Sequence, residues 1–96
     1  MPSVTSLDKI WTIYILECSD ETLYTGITVD LEKRLEKHNS GEGAKYTRSR
    51  TPCIIRFSQS GFSHSDAAKI EAKIKKLTRI EKMKIIEQQT LPQDLK

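Results

Sequence analysis

Residues 10–16 read IWTIYIL, a β-branched and aromatic run bounded by Asp8-Lys9 and Ser19-Asp20. Such a run is a strand, and its near-continuous hydrophobicity predicts cover on both faces. Only a short polar turn, Ser19-Asp20-Glu21-Thr22, separates it from a second strand-like segment, LYTGIT at 23–28. A connection that short forces antiparallel pairing, so the two segments make a hairpin. If the turn takes the three residues Ser19, Asp20 and Glu21, Tyr14 stands opposite Gly26 and Tyr24 opposite Leu16. Both tyrosines then share one sheet face as diagonal neighbours, whereas a one-residue slip would separate them.

The rest of the chain follows from periodicity and caps. Asp30 is a candidate N-cap, and Leu31, Leu35 and His38 line one face of a helix over 31–39. Asn39-Ser40-Gly41 ends it, glycine supplying the positive φ of a helix terminus. A basic loop over 44–52 leads to a third strand at 53–60, CIIRFSQS, followed by a turn at Gly61. Ser63 or Ser65 caps the next helix, whose apolar stripe is Ala67, Ile70, Ile74 and Leu77. Thr78 and Glu81 form a capping box, so a break near Leu77 and a new helix to about Gln88 are expected. The order β-β-α-β-α-α describes an α/β (α+β) sandwich: a three-stranded antiparallel sheet flanked by helices. One domain over 10–88 is expected, with an extended or disordered segment at 1–9 and a flexible tail at 89–96.

At 96 residues, 36% of them hydrophobic, the chain supports one modest core and no large buried cofactor. No apolar run is long enough to span a membrane, and the N-terminus has neither the basic nor the apolar region of a secretory signal. Cys18 and Cys53 have no CxxC spacing, so two reduced strand cysteines in a cytoplasmic protein are expected. The net charge of +3 is unevenly spread. Residues 44–56 carry Lys45, Arg48, Arg50 and Arg56 with no acid, and residues 69–84 carry seven bases against Glu71 and Glu81. Such blocks mark either solvated faces or a nucleic-acid footprint.

Several polar residues exceed what core-building requires. Tyr14 and Tyr24 are either core tyrosines or the walls of a site, with Gly26 allowing a ligand or backbone close approach. Arg34 and His38, at i and i+4, are either a solvated base and a packed helix-end histidine or a grip for a phosphate. Glu71 is either paired with Lys75 at i+4 or a metal anchor, because hard divalent cations prefer oxygen ligands.

Together these residues resemble a known family. Thr12-Ile13-Tyr14 and Tyr24-Thr25-Gly26 match the two halves of the GIY-YIG motif. The helix D-L-E-K-R-L-x-x-H-N, the segment GAKYT and E-A-x-I-K follow in family order. The chain is similar, over 10–88, to small stand-alone bacterial GIY-YIG domain proteins related to the N-terminal incision domain of the repair nuclease UvrC. The resemblance implies a metal-dependent DNA endonuclease or nickase, structure-specific rather than sequence-specific. In that reading Tyr14 and Tyr24 line the active site and Tyr24 activates water. Arg34 contacts the scissile phosphate, His38 assists, and Glu71 holds one Mg²⁺ or Mn²⁺. Lys45 and Tyr46, with Arg48 and Arg50 in the same basic loop, contact nucleic acid. Branched, flapped or single-stranded DNA is the implied partner, with room for a separate targeting protein. The alternatives are a DNA- or RNA-binding module on the same fold with weak or lost catalysis, and a basic protein-interaction domain. Thr12 replaces the first motif glycine. Thr28 stands near a position where the repair nucleases carry lysine, and Met83 where they carry asparagine.

Overall fold

The structure is a computed structural model that describes residues 9–42 and 50–96. It contains β1 (Trp11–Glu17), β2 (Leu23–Thr28), α1 (Leu31–Asn39), β3 (Ile54–Phe62), α2 (His64–Lys75) and α3 (Arg79–Gln88), then a 3-10 turn, Gln93–Leu95. The strands form one antiparallel sheet in the order β2-β1-β3.

The hairpin turn fixes everything on the sheet face that matters. Glu21 takes a left-handed φ of 69°. Glu21 N–H donates to the Cys18 carbonyl and Cys18 N–H to the Thr22 carbonyl, both at 2.9 Å. That is the three-residue loop with a left-handed last residue. Asp20 braces it by accepting from the Thr22 N–H and hydroxyl. The resulting register pairs Tyr14 with Gly26 and Leu16 with Tyr24, as the turn length predicts.

Alternation on β1 then divides the interior in two. Ile13 and Ile15 join Phe57, Ala67, Ile70, Ile74, Ile85 and Ile86 under α2 and α3. Tyr14 and Leu16 face the other way, with Cys18 and Cys53, against Leu31 and Leu35 of α1. The unbroken hydrophobicity of β1 is thus the signature of a central strand covered on both sides.

The helices begin where their caps stand. Asp30 and Ser63 each accept from a backbone N–H three residues on. Thr78 and Glu81 complete the reciprocal capping box at α3. Gly41, at φ 86°, closes α1. The third strand differs from expectation. Gly61 does not turn the chain; at φ 108° it is carried within β3, which continues to Phe62 opposite Trp11. The C-terminal residues also differ. Where the sequence predicts a flexible tail, Leu91 and Leu95 are buried in the larger core, and the 3-10 turn between Pro92 and Lys96 brings Leu95 back onto α2. Among the described residues no helix is long and apolar enough to cross a membrane.

Candidate active site

The face of the sheet that lacks α2 and α3 carries a cluster of four polar side chains. β1 supplies Tyr14, β2 supplies Tyr24, and successive turns of α1 supply Arg34 and His38. Tyr14 is 1% exposed and His38 0%. The Tyr14 hydroxyl and His38 Nε2 are 3.2 Å apart. The Tyr24 ring stands edge-on to His38, centroids 5.3 Å apart, and 6.4 Å from the Tyr14 ring. Arg34 lies beside both phenols, which favour its charged form and link α1 to the hairpin.

Gly26 makes the arrangement fit. Its pairing partner is Tyr14, and a Cβ on Gly26 would lie 2.4 Å from Tyr14 Oη. The phenol ring therefore occupies the space a side chain would take. The close approach expected at this glycine is filled from within the protein, by Tyr14.

The electrostatics assign the protons. Burial pushes the Tyr14 phenol above its ordinary pKa, outweighing the Arg34 hydrogen bond that lowers it. Burial, and then the Arg34 charge, push His38 below the usual histidine range. At neutral pH both groups are uncharged. The buried phenol and imidazole share one hydrogen bond, between Tyr14 Oη and His38 Nε2. Arg34 is half-buried, and among the described residues no carboxylate is ion-paired with it. A guanidinium held between neutral acceptors keeps its full charge for an anion.

Glu71 projects from α2, the helix that packs most closely on β2. Its side chain is partly exposed and pairs with Lys75 Nζ at 3.2 Å. Its charge also acts on the Tyr14 phenol. Of the two sequence readings of Glu71, the ion pair with Lys75 is the one formed. Among the described residues no group of three or more His, Cys, Asp or Glu side chains could hold a metal. The donor set is a single carboxylate. That does not fit zinc, which needs three or four protein ligands. It fits Mg²⁺ or Mn²⁺, which keep several waters and take one or two carboxylates plus substrate phosphate oxygens.

Lys45, Tyr46 and Arg48 lie outside the described residues. Arg50 is described, and its Nε donates to Asp20 at 2.9 Å. Its carbonyl accepts from Ser19 N–H at 2.7 Å, so Arg50 fastens the end of the basic loop to the hairpin turn. Arg56 similarly pairs with Glu17 across the sheet. Two of the four bases in the acid-free block 44–56, Arg50 and Arg56, thus have acidic partners from the hairpin. One contributor escaped the sequence reading. Asn39 accepts from Cys53 N–H at 2.6 Å and donates to the Cys53 carbonyl at 3.1 Å, clamping the end of α1 to the start of β3 one residue after His38. Its position at a helix terminus, where asparagine is common, concealed that role.

The model of the GIY-YIG catalytic domain matches residues 10–84. A UPF0213 protein of Syntrophus aciditrophicus is 56% identical over 77 residues, covering 79% of this chain and 88% of that protein. A UPF0213 protein of Halobacterium salinarum is 50% identical over 70 residues, covering 73% and 91%. The solution NMR structure of a UPF0213 protein from Bacillus halodurans superposes with a TM-score of 0.55 at 37% identity, covering 90% of this chain and 92% of that one. Another NMR structure, of a protein from E. faecalis, gives 0.59 at 41% identity, covering 83% and 85%. The hairpin carrying two tyrosines, the helix carrying Arg34 and His38, and the carboxylate on α2 are thus set in a chain that belongs to the GIY-YIG family of nuclease domains.

Proposed function

We propose that the protein is a metal-dependent endonuclease or nickase that hydrolyses phosphodiester bonds in branched, flapped or single-stranded DNA. The observation that carries the reading is the half-buried Arg34 guanidinium, held between two phenols beside a neutral, buried histidine. A structural arginine at this depth is normally satisfied by a carboxylate. Here its partners are uncharged, as a phosphate-binding cation requires.

The roles divide by accessibility. Tyr14 is buried and hydrogen-bonded to His38, so it serves as a positioning residue that orients the imidazole. Tyr24 is only half-buried and is the phenol that water and substrate reach. Tyr24 therefore serves as the general base, taking the proton of the attacking water as the new P–O bond forms and the P–O bond to the leaving strand breaks. Arg34 binds a non-bridging oxygen of the phosphate. His38 holds the edge of the Tyr24 ring in place. A divalent cation at Glu71 would neutralise charge developing on the phosphoryl oxygens. Lys75 yields Glu71 at little cost, because an ion pair this exposed is worth only about 0–1 kcal/mol.

The small domain offers little area for reading sequence, so phosphate contacts dominate and binding falls steeply with salt. The basic residues of 69–84, together with Lys45, Tyr46 and Arg48, would track the backbone.

The test is incubation of labelled branched, flapped, nicked and single-stranded DNA with Mg²⁺, Mn²⁺ or EDTA, reading binding and cleavage in parallel. The proposal expects metal-dependent nicking abolished by EDTA. Salt-sensitive binding without cleavage of any substrate would replace it with the binding-module reading.

A further inference from the structure

Cys18 and Cys53 stand 35 positions apart in sequence, yet their sulfurs are 3.5 Å apart, and both are buried. The β1–β3 register accounts for this. Glu17 pairs with Ile54, so the next rung places Cys18 directly opposite Cys53. Directly opposed residues in antiparallel strands have Cα atoms about 4.5–5.5 Å apart, inside the range of about 4.4–6.8 Å that a disulfide spans. Cys53 is held at this rung by two hydrogen bonds with Asn39, one donated and one accepted. Cys18 is held by the hairpin turn, both as donor and as acceptor. Both thiols are free.

We propose that Cys18 and Cys53 are a redox-responsive pair, closed by peroxide into an intramolecular disulfide that joins the end of β1 to the start of β3. The enclosed segment includes β2 and α1, and with them Tyr24, Gly26, Arg34 and His38. Closure requires the sulfurs to approach from 3.5 Å, a movement that side-chain rotation about Cβ supplies once the rung is in register.

The Cys53 sulfur is within hydrogen-bond reach of the Cys18 sulfur, at 3.5 Å, and of the Arg50 carbonyl, at 3.9 Å. Burial, and then Cys18 itself, push Cys53 up to about 12, so Cys53 retains its proton and Cys18 reacts first. The Cys18 thiolate attacks hydrogen peroxide; an S–O bond forms, the O–O bond breaks, and hydroxide leaves. Cys53 sulfur then attacks the Cys18 sulfenic sulfur. The S–S bond forms, the S–O bond breaks, and hydroxide departs with the Cys53 proton as water. Two thiols and one peroxide give one disulfide and two waters.

The experiment uses the full chain in its native state, purified under reductant, desalted, and treated with hydrogen peroxide. Intact mass should fall by about 2 Da, a Cys18–Cys53 cross-linked peptide should appear, and dithiothreitol should reverse both. In Cys53→Ala, Cys18 should accumulate as a sulfenic acid that dimedone traps; in Cys18→Ala, dimedone labelling should be absent. The proposal is overturned if the wild type cross-links only after denaturation, if the product is an intermolecular dimer, or if Cys53 is the residue labelled first. None of these readouts depends on nuclease activity.

Discussion

Replacing Gly26 by alanine tests the packing of the site through the sign of a stability change. Gly26 has no positive φ, so alanine meets no backbone penalty there. On backbone entropy alone the substitution would stabilise by about 0.4–1 kcal/mol. The structure reverses that expectation. The new Cβ would sit 2.4 Å from Tyr14 Oη and 2.5 Å from Cζ, against 3.4–4 Å for ordinary contact. The ring must retreat by about 1 Å, in a core packed too densely to absorb it. It cannot do so freely: Leu16, Cys18, Cys53, Leu31 and Leu35 pack around its cluster, and its hydroxyl is bonded to His38. Overpacking of this kind costs about 1–3 kcal/mol. The net expectation is a destabilisation of about 1–2 kcal/mol, or a Tm lower by roughly 5–15 °C for a domain this size. Thermal and urea denaturation measure it. A double variant, Gly26→Ala with Tyr14→Leu, removes the outer ring atoms and should be less destabilised than the sum of the two single changes. A Gly26→Ala protein as stable as the wild type or more so, or strict additivity in the double variant, would refute the argument.

Other expectations follow from the same geometry. Tyr14→Phe keeps the ring but removes the buried hydrogen bond to His38; denaturation should show a loss of about 1–3 kcal/mol. His38 is held below the usual histidine range, so the unfolded chain takes up its proton first as pH falls. Its contribution to stability is complete above about pH 6.5 and is lost as the pH drops from there towards the depressed folded-state value. Tm profiles of wild type and His38→Gln should therefore diverge at neutral pH and converge in acid, and parallel profiles would contradict the assignment. Leu91→Ala should cost about 2–4 kcal/mol in the same assay, which a flexible C-terminal segment would not show.

Local rules and tertiary packing explain which features could be read from the sequence. The hairpin register was legible because a three-residue connection leaves the strands no freedom, and Glu21 adopts the left-handed conformation that such a loop needs. Asp30, Ser63 and Thr78 marked the helix starts because an N-cap is a local hydrogen bond. The juxtaposition of Tyr14 with Tyr24, and of Arg34 with His38, follows from those two local facts. What escaped depends on pairing between distant segments. No turn connects β1 to β3, so nothing in the chain announced that Cys18 opposes Cys53, or that Asn39 would clamp it. Leu91 and Leu95 flank Pro92 and two polar residues, too short a pattern to display a period, and only the core under α2 reveals their use. Arg50 lies among bases in sequence, but its partner Asp20 is 30 residues away.

The catalytic claim rests most directly on Tyr24 and is measured by single-turnover cleavage of flapped or branched DNA in Mn²⁺ by wild type and Tyr24→Phe. The variant loses one hydroxyl and keeps the ring that stands edge-on to His38. Loss of a general base slows the chemical step by about 10²–10⁴-fold while leaving DNA affinity unchanged. Cleavage by Tyr24→Phe at the wild-type rate would contradict the account.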